Sequence, residues 1–378
     1  MALLVISCLS FVLIFCFVTS LLIFRIGWSR VKPFYRDEHR VPKTKVSILI
    51  AARNEEKKLY YTILDILAQN YPAELIELIV VDDHSTDGTA DIVRSFANQK
   101  VILIQLNESQ VLNSYKKKAI SRAIDFSKGE LIITTDADCR MNVNWLSTIV
   151  SFYEEKNLKM ISSPVVYHEE SSVFEKWQTL DFLFLNGLGA SAIGNKMPST
   201  CNGANLAYRR DLFYELGGFR GIDDLASGDD ELFLHKVASK YPGHIGYCKA
   251  VDAIVYTHAM PDLASFINQR KRWSSKSTRY KNILVILLGI MIWLTNLSIC
   301  VNLLLGFVSS NCWIVAAVSI ASKFTVEMIF MIPVARFVKR TELLPHIVYL
   351  TIIHPFYVAY IGFAGNSGKY VWKGRLVK

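Results

Sequence analysis

The stretch Gly129-Glu130-Leu131-Ile132-Ile133-Thr134-Thr135-Asp136-Ala137-Asp138 decides the reading of this chain. Leu131–Thr135 is an apolar, β-branched run, the composition of a buried strand, and it ends on two acids separated by one residue. Because side chains alternate along an extended chain, Asp136 and Asp138 are expected to leave on the same side as a clamp of hard oxygen ligands. Such ligands suit Mg²⁺ or Mn²⁺, which typically keep some waters and complete their shell with phosphate oxygens. The pattern predicts a metal-bridged nucleotide diphosphate. For the two acids taken alone, a polar loop facing water is the competing explanation.

Working outward, Val46–Ala52 predicts a strand that breaks into Arg53-Asn54-Glu55-Glu56. A helix is expected from about Glu56 to Asn70, with Leu59, Ile63, Ile66 and Leu67 at helical spacing and Pro72 beyond its end. The apolar run Leu75–Val81 leads into a loop opening on Asp82 and Asp83, and strand Val101–Gln105 and helix Lys116–Phe126 follow. Alternating strands and helices with acids at strand ends is an α/β doubly wound layout, whose ligands sit at the carboxyl ends of the strands. Asp83 and Asp136 are therefore expected to line one crevice. One of Lys116, Lys117 and Lys118 is expected to face a phosphate, with Lys117 taken as nucleotide-binding; a solvated basic turn is the plainer alternative.

Past the clamp, Met160–Pro164 and Ile254–Thr257 read as further strands, and the simple alternation stops. Val173–Ile193 is dense in Phe, Trp and Leu and predicts either a core helix or an interfacial helix resting on a bilayer. Gly228-Asp229-Asp230-Glu231 opens an amphipathic helix, where acids also suit the macrodipole, so helix capping competes with chemistry as their explanation. Gln269-Arg270-Lys271-Arg272-Trp273 is either a membrane stop or a set of stacking and bidentate anion contacts.

The 378 residues allow one α/β domain of about 250 residues plus further elements. Those elements read as membrane helices. Ala2–Phe24 carries no charge, has no basic segment before it and no small-x-small site after it, so it predicts a retained transmembrane anchor and not a cleaved leader. Seven basic residues between Arg25 and Lys45 place the following domain in the cytoplasm by the positive-inside rule. Ile283–Val308 is a second uncharged run, and Cys312–Phe337 a third, in which Lys323 and Glu327 are spaced to pair. Leu343–Gly362 is apolar but holds Pro345, His354 and Pro355, and crossing would export the basic tail, so a re-entrant or interfacial segment is expected. The chain thus divides into an anchor (1–24), a cytoplasmic domain (45–280), a membrane region of two or three apolar segments (283–363) and a basic tail (364–378).

The net charge of +9 is concentrated in the juxtamembrane clusters, which suit an anionic leaflet, and no nucleic-acid motif accompanies it. The seven cysteines show no C-x-x-C pairing, so neither a zinc site nor a disulfide framework is implied.

Asp83, Asp136-Ala-Asp138, Asp229-Asp230 and Gln269-x-x-Arg272-Trp273, in this order and spacing, resemble the family 2 glycosyltransferases, most closely their membrane-integrated branch of cellulose, hyaluronan and poly-N-acetylglucosamine synthases and ceramide glucosyltransferase. The resemblance covers about Lys45 to Arg279. It implies a nucleotide-diphospho-sugar transferase fold of the glycosyltransferase A type, flanked by transmembrane helices. It also implies that Asp83, with Asp82 beside it, holds the uracil of a UDP-sugar; that Asp136 contacts ribose or metal and Asp138 binds the metal; and that Asp230 is the general base. Gln269, Arg272 and Trp273 would cover the diphosphate and shape the acceptor side, with Asp229 nearby. The family commonly has Thr-Glu-Asp where this chain has Gly228-Asp229-Asp230, so the role of Asp229 is the less secure.

These residue types suffice for direct displacement at an anomeric carbon, which needs one base on one face and a stabilised diphosphate on the other and inverts the centre. A hydrolase would want paired catalytic carboxylates. The expected acceptor is a membrane lipid or glycolipid, with a growing glycan in a processive polysaccharide synthase as the alternative. A catalytically inactive nucleotide-binding membrane subunit is a reading from another class, opposed by intact Asp138 and Asp230. A nucleotidyltransferase is opposed by the lack of a Gly-rich basic loop after Val46–Ala52.

Overall fold

The computed structural model describes residues 1–107, 114–365, 370–372 and 375–377. The chain begins with helix α1 (Ala2–Arg30) and then lays down β1 (Val46–Ala52), α2 (Leu59–Leu67), β2 (Ile76–Asp83), α3 (Thr89–Ser95), β3 (Val101–Leu106), α4 (Tyr115–Phe126) and β4 (Leu131–Asp136). These four strands pair in parallel in the order β3-β2-β1-β4. β1 is buried along nearly its whole length, as expected for an apolar run covered on both faces by helices.

The second half is mixed. It comprises β5 (Arg140–Met141), α5 (Trp145–Lys156), β6 (Met160–Ser162), β7 (Val165–Tyr167), α6 (Val173–Gly194), β8 (Leu206–Arg209), α7 (Arg210–Glu215), α8 (Glu231–Lys240), β9 (Ile245–Tyr247), β10 (Val255–Thr257) and α9 (Leu263–Ser275). β8 runs antiparallel between β4 and β6, and β9 closes the seven-stranded sheet. A small sheet, β5-β10-β7, lies beside the clamp. The change from parallel to antiparallel at β8 is why the simple strand and helix alternation stops there.

α2 starts at Leu59 and not at Glu56. The intervening loop is tied elsewhere: the Glu55 N–H donates to Thr89 Oγ1 at 2.8 Å, and the Glu56 N–H to Asp87 Oδ2 at 3.2 Å. What remains of the helix buries Leu59, Ile63 and Ile66 on one face.

Among the described residues, four helical segments are long and apolar enough to cross a membrane: α1, α10 (Ile283–Leu305), α11 (Ser310–Phe337) and Thr341–Ala364, whose main part is α12 (Ile347–Ala364). Lys323 and Glu327 form a buried ion pair on α11, and Thr351 of α12 donates to Glu327 at 3.2 Å. α12 runs beside α9, with Tyr357 against Phe266 and Lys271 over Tyr360. A short hairpin, β11 (Tyr370–Trp372) and β12 (Arg375–Val377), follows; Lys369, Lys373 and Lys378 of the basic tail lie outside the described residues.

α6 is a core helix, and it packs the sheet against two of the long apolar helices. Leu180, Leu183, Ala190 and Ile193 belong to one buried cluster that contains sheet residues Leu49, Ile79 and Ile132 together with Ile14, Phe17 and Leu21 of α1 and Phe330 and Val334 of α11. Gly27 and Gly194 bring α1 and α6 into backbone contact: a Cβ on either glycine would overlap a carbonyl of the other helix. Arg30 then donates to Asn195 Oδ1 at 2.9 Å.

Candidate active site

Strand register places the acids. Asp82 pairs with Ala52 across β2 and β1, and Asp136 pairs with Ala51 across β4 and β1, so the acids flank the carboxyl end of β1. Asp82 accepts from the Ser85 N–H at 3.1 Å and from Gln105 Nε2 at 3.3 Å. Asp83 is buried, its Oδ1 2.9 Å from His84 Nδ1, while Arg53 clamps the loop by donating to the Asp83 and His84 carbonyls at 2.9 Å each. A cleft of about 320 Å³ lined by Asn54, Glu55, Glu56, Lys57, Lys58 and Asp87 opens on this side of the sheet. A larger concavity of about 680 Å³, lined by Arg40, Thr44, Glu130, Tyr153, Glu154 and Arg209, lies at the amino ends of the strands, remote from these carboxylates.

The clamp differs from a simple extended pair. β4 ends at Asp136, and Ala137-Asp138 form a turn, so strand alternation does not by itself aim Asp138. The buried Thr62 hydroxyl bonds to the Ala137 and Cys139 carbonyls at 2.9 and 2.8 Å and fixes that turn. Asp136 Oδ1 is 2.8 Å from Lys116 Nζ, and Asp138 Oδ2 is 3.7 Å from Lys58 Nζ and 3.4 Å from Thr257 Oγ1. With Asp136 40% and Asp138 28% exposed, the pair fits a hard divalent cation that keeps waters, and two ammonium groups here balance the charge that such an ion would balance. His168, Glu169 and His258, at the ends of β7 and β10, are a further group whose potential ligand atoms lie within 4.8 Å of one another.

Lys117 does not face the crevice. Its ammonium is buried and donates to the carbonyls of Ile222, Leu225 and Ser227 at 2.5, 2.7 and 2.7 Å, fastening the loop that leads to Asp229. Burial pulls its pKa down. One residue earlier on α4, Lys116 takes the place expected of Lys117. It bridges Asp136 and Asp229, the latter at 3.5 Å, and although burial opposes its charge the carboxylates raise its pKa.

Asp230 is the N-cap of α8, but it is more than a cap. Oδ1 accepts from the Glu231 N–H at 2.6 Å and Oδ2 from the Gly203 N–H at 2.9 Å, across from the end of β4, where Thr134 Oγ1 donates to the Gly203 carbonyl at 2.7 Å. Burial alone would raise its pKa; Lys276, Lys116 and the two N–H groups lower it, so the carboxylate is kept ionised.

On α9, Phe266, Arg270 and Trp273 form an inward stripe, with Arg270 4.2 Å from the Trp273 ring centre and Trp273 tilted against Phe182 at 5.8 Å. Gln269 and Arg272 fall on the neighbouring face, which continues at helical spacing to Lys276, whose Nζ is 3.8 Å from Asp230 Oδ1. Sequence reasoning missed Thr62, Lys116 and Lys276; only Lys116 left a signal, as a member of the basic turn.

A sheet with these acids at its carboxyl ends defines a nucleotide-sugar transferase fold of the glycosyltransferase A type. Residues 47–217 match the model of the Glycosyl transferase family 2. It is 28% identical over 237 residues, 61% of this chain and 54% of the relative, to "Probable glycosyltransferase YdaM" of Bacillus subtilis. It is 23% identical over 179 residues, 46% of this chain and 56% of the relative, to the glucosyl-dolichyl phosphate glucuronosyltransferase of Haloferax volcanii. The chain spans about half the length of the curated relatives it matches. Among solved structures, the mannosyltransferase PcManGT of Pyrobaculum calidifontis, in complex with GDP-Man and Mn²⁺, shares the fold with a TM-score of 0.56 at 16% identity over 92% of this chain and 97% of that one.

Proposed function

We propose that this protein is a membrane-bound inverting glycosyltransferase that moves a sugar from a nucleotide-diphospho-sugar, taken to be a UDP-sugar, to a membrane lipid or glycolipid. The observation that carries the reading is the meeting of Asp83, Asp136, Asp138 and Asp230 at one end of a sheet whose core continues without a break into apolar helices. Asp83 with Asp82 would receive the base. Asp136 and Asp138 would hold Mg²⁺ or Mn²⁺, which when bound neutralises the departing diphosphate. Lys116 would exchange its contact with Asp136 for a phosphate oxygen, and Arg272 would meet the diphosphate from α9. Asp230, ionised and fixed through both oxygens, would take the proton of the acceptor hydroxyl as that oxygen attacks the anomeric carbon opposite the leaving diphosphate.

The lipid acceptor is supported by α9, which leads through one short turn into α10, and by the dolichyl phosphate named for the Haloferax relative. Location in the cell membrane with the domain cytoplasmic follows from the asymmetry of Lys and Arg around α1 and from the cytoplasmic supply of nucleotide-sugars. The test is to incubate membranes containing the protein with several radiolabelled UDP-sugars. Label is expected in the organic phase. Label in a polymer would favour a processive polysaccharide synthase, and nucleotide binding with no transfer would favour an inactive subunit.

A further inference from the structure

A lysine outside every motif considered so far reaches the base. The 3₁₀ turn Lys276–Arg279 joins α9 to the segment entering α10. The Lys276 side chain is 12% exposed, and its Nζ lies 3.0 Å from Glu231 Oε2 and 3.8 Å from Asp230 Oδ1. Glu231 is itself held on two sides, accepting from Thr200 Oγ1 at 2.6 Å and from the Tyr280 hydroxyl. Lys276 thus has a fixed counter-ion and does not need Asp230 for neutrality.

We infer that Lys276 is a positioning residue for the base: its ammonium, carried on the turn between the acceptor-side helix and the membrane helix, keeps the Asp230 carboxylate ionised and aimed into the crevice. This rests on the reading of Asp230 as the base. The charged and titratable groups that act on Asp230 include Lys276 from the turn, Lys116 and Lys117 from α4, Glu231 and Asp229 beside it, Tyr280 and the Cys201 thiol. Of these only the three lysines favour its charged form, and the Lys117 ammonium is held by the carbonyls of Ile222, Leu225 and Ser227. Lys116 is shared with Asp136 and Asp229, whereas Lys276 faces no carboxylates other than Glu231 and Asp230 among the described ion pairs. A base works only when deprotonated, so transfer is lost as pH falls through its pKa. An opposite charge within ~4–6 Å typically lowers a carboxyl pKa by about 1–3 units.

The experiment compares pH profiles of kcat/KM for the full-length protein in membranes with UDP affinity measured on the same preparations. Lys276→Met is expected to move the acid limb up by about one pH unit, with UDP affinity within about two-fold of wild type, while Lys276→Arg keeps the wild-type limb. Because Lys276→Met leaves Glu231 buried without its cation, the double variant Lys276→Met, Glu231→Gln is measured against Glu231→Gln alone, and its limb must lie above that of the single variant. A limb in a UDP-binding double variant that coincides with that of Glu231→Gln, whatever the fall in rate, overturns the role and leaves Lys276 as a counter-ion of Glu231 only. Asp230→Asn separates the two ideas: wild-type transfer by that protein would remove the base itself, whereas its inactivity together with an unmoved limb in the lysine variants removes only Lys276.

Discussion

Arg270 Nη2 lies 2.7 Å from Asp181 Oδ2, and both side chains are more than nine-tenths buried. The other Asp181 oxygen is 2.9 Å from His354 Nε2 on α12, and the guanidinium sits between the rings of Phe266 and Trp273. A basic residue in the middle of Gln-Arg-Lys-Arg-Trp is therefore the bolt that fixes this motif to α6 and α12. Removing one partner of a buried pair typically costs about 3–5 kcal/mol. Arg270→Ala is expected to lower the Tm in detergent and to abolish transfer. Arg270→Lys keeps the charge but lacks the planar fork and the stacking, and is expected to retain the fold with reduced kcat. A wild-type Tm for Arg270→Ala would contradict this account.

Metal dependence follows from Asp136 and Asp138. Chelation by EDTA is expected to abolish transfer, and Mn²⁺ or Mg²⁺ to restore it. Asp138→Ala should stay inactive under either ion. Transfer by Asp138→Ala in EDTA at the wild-type rate would rule the clamp out.

The two neighbouring lysines of α4 should separate cleanly. Lys116→Met removes a cation from the crevice and is expected to weaken UDP-sugar binding with little change in Tm. Lys117→Met strips three carbonyls of their donor in a buried place, where each unsatisfied group costs about 1–3 kcal/mol. It should lower the Tm. Calorimetric UDP titration and thermal unfolding of both variants check the pair, and the opposite pattern would restore Lys117 to the nucleotide.

At Asp230 the expected effect is on chemistry and not on binding. A general base typically contributes ~10²–10⁴-fold in rate, so Asp230→Asn should lose kcat in that range while UDP affinity holds. Asp83→Ala should do the reverse. Asn is also a good N-cap, so if capping were the whole role of Asp230 the substitution would be almost silent.

The parallel half of the sheet was legible because its signals are local: an apolar run, then an acid, then a helix, repeated. The positions of Asp83 and Asp136 were legible for the same reason, whereas Asp230 was legible only as an acid opening an amphipathic helix, and its expected place at the crevice came from the family resemblance. What escaped were relationships decided by tertiary packing. Whether Lys116 or Lys117 faces the crevice depends on the rotation of α4 about its axis, and a one-residue difference turns a side chain by about 100°. Arg270 and Asp181 are charges that composition places on a surface, and only the meeting of three helices shows them as an interior pair. Lys276 lies beyond residues 269–273 on the flank of an apolar run, where nothing in the sequence distinguishes it from the other juxtamembrane cations.

The contact of Gly27 with Gly194 fixes a height. Were the domain tethered by the 31–45 segment alone, it could rock over the bilayer and bring its crevice to acceptors of various reach. With α1 and α6 touching backbone to backbone, that swing is removed, and under the proposed anchoring of α1 in a bilayer the crevice would stand at one elevation above the lipid. A lipid acceptor of the proposed kind would then have to rise or tilt to meet Asp230, and the ruler for the distance between lipid anchor and reacting hydroxyl would be built into the protein.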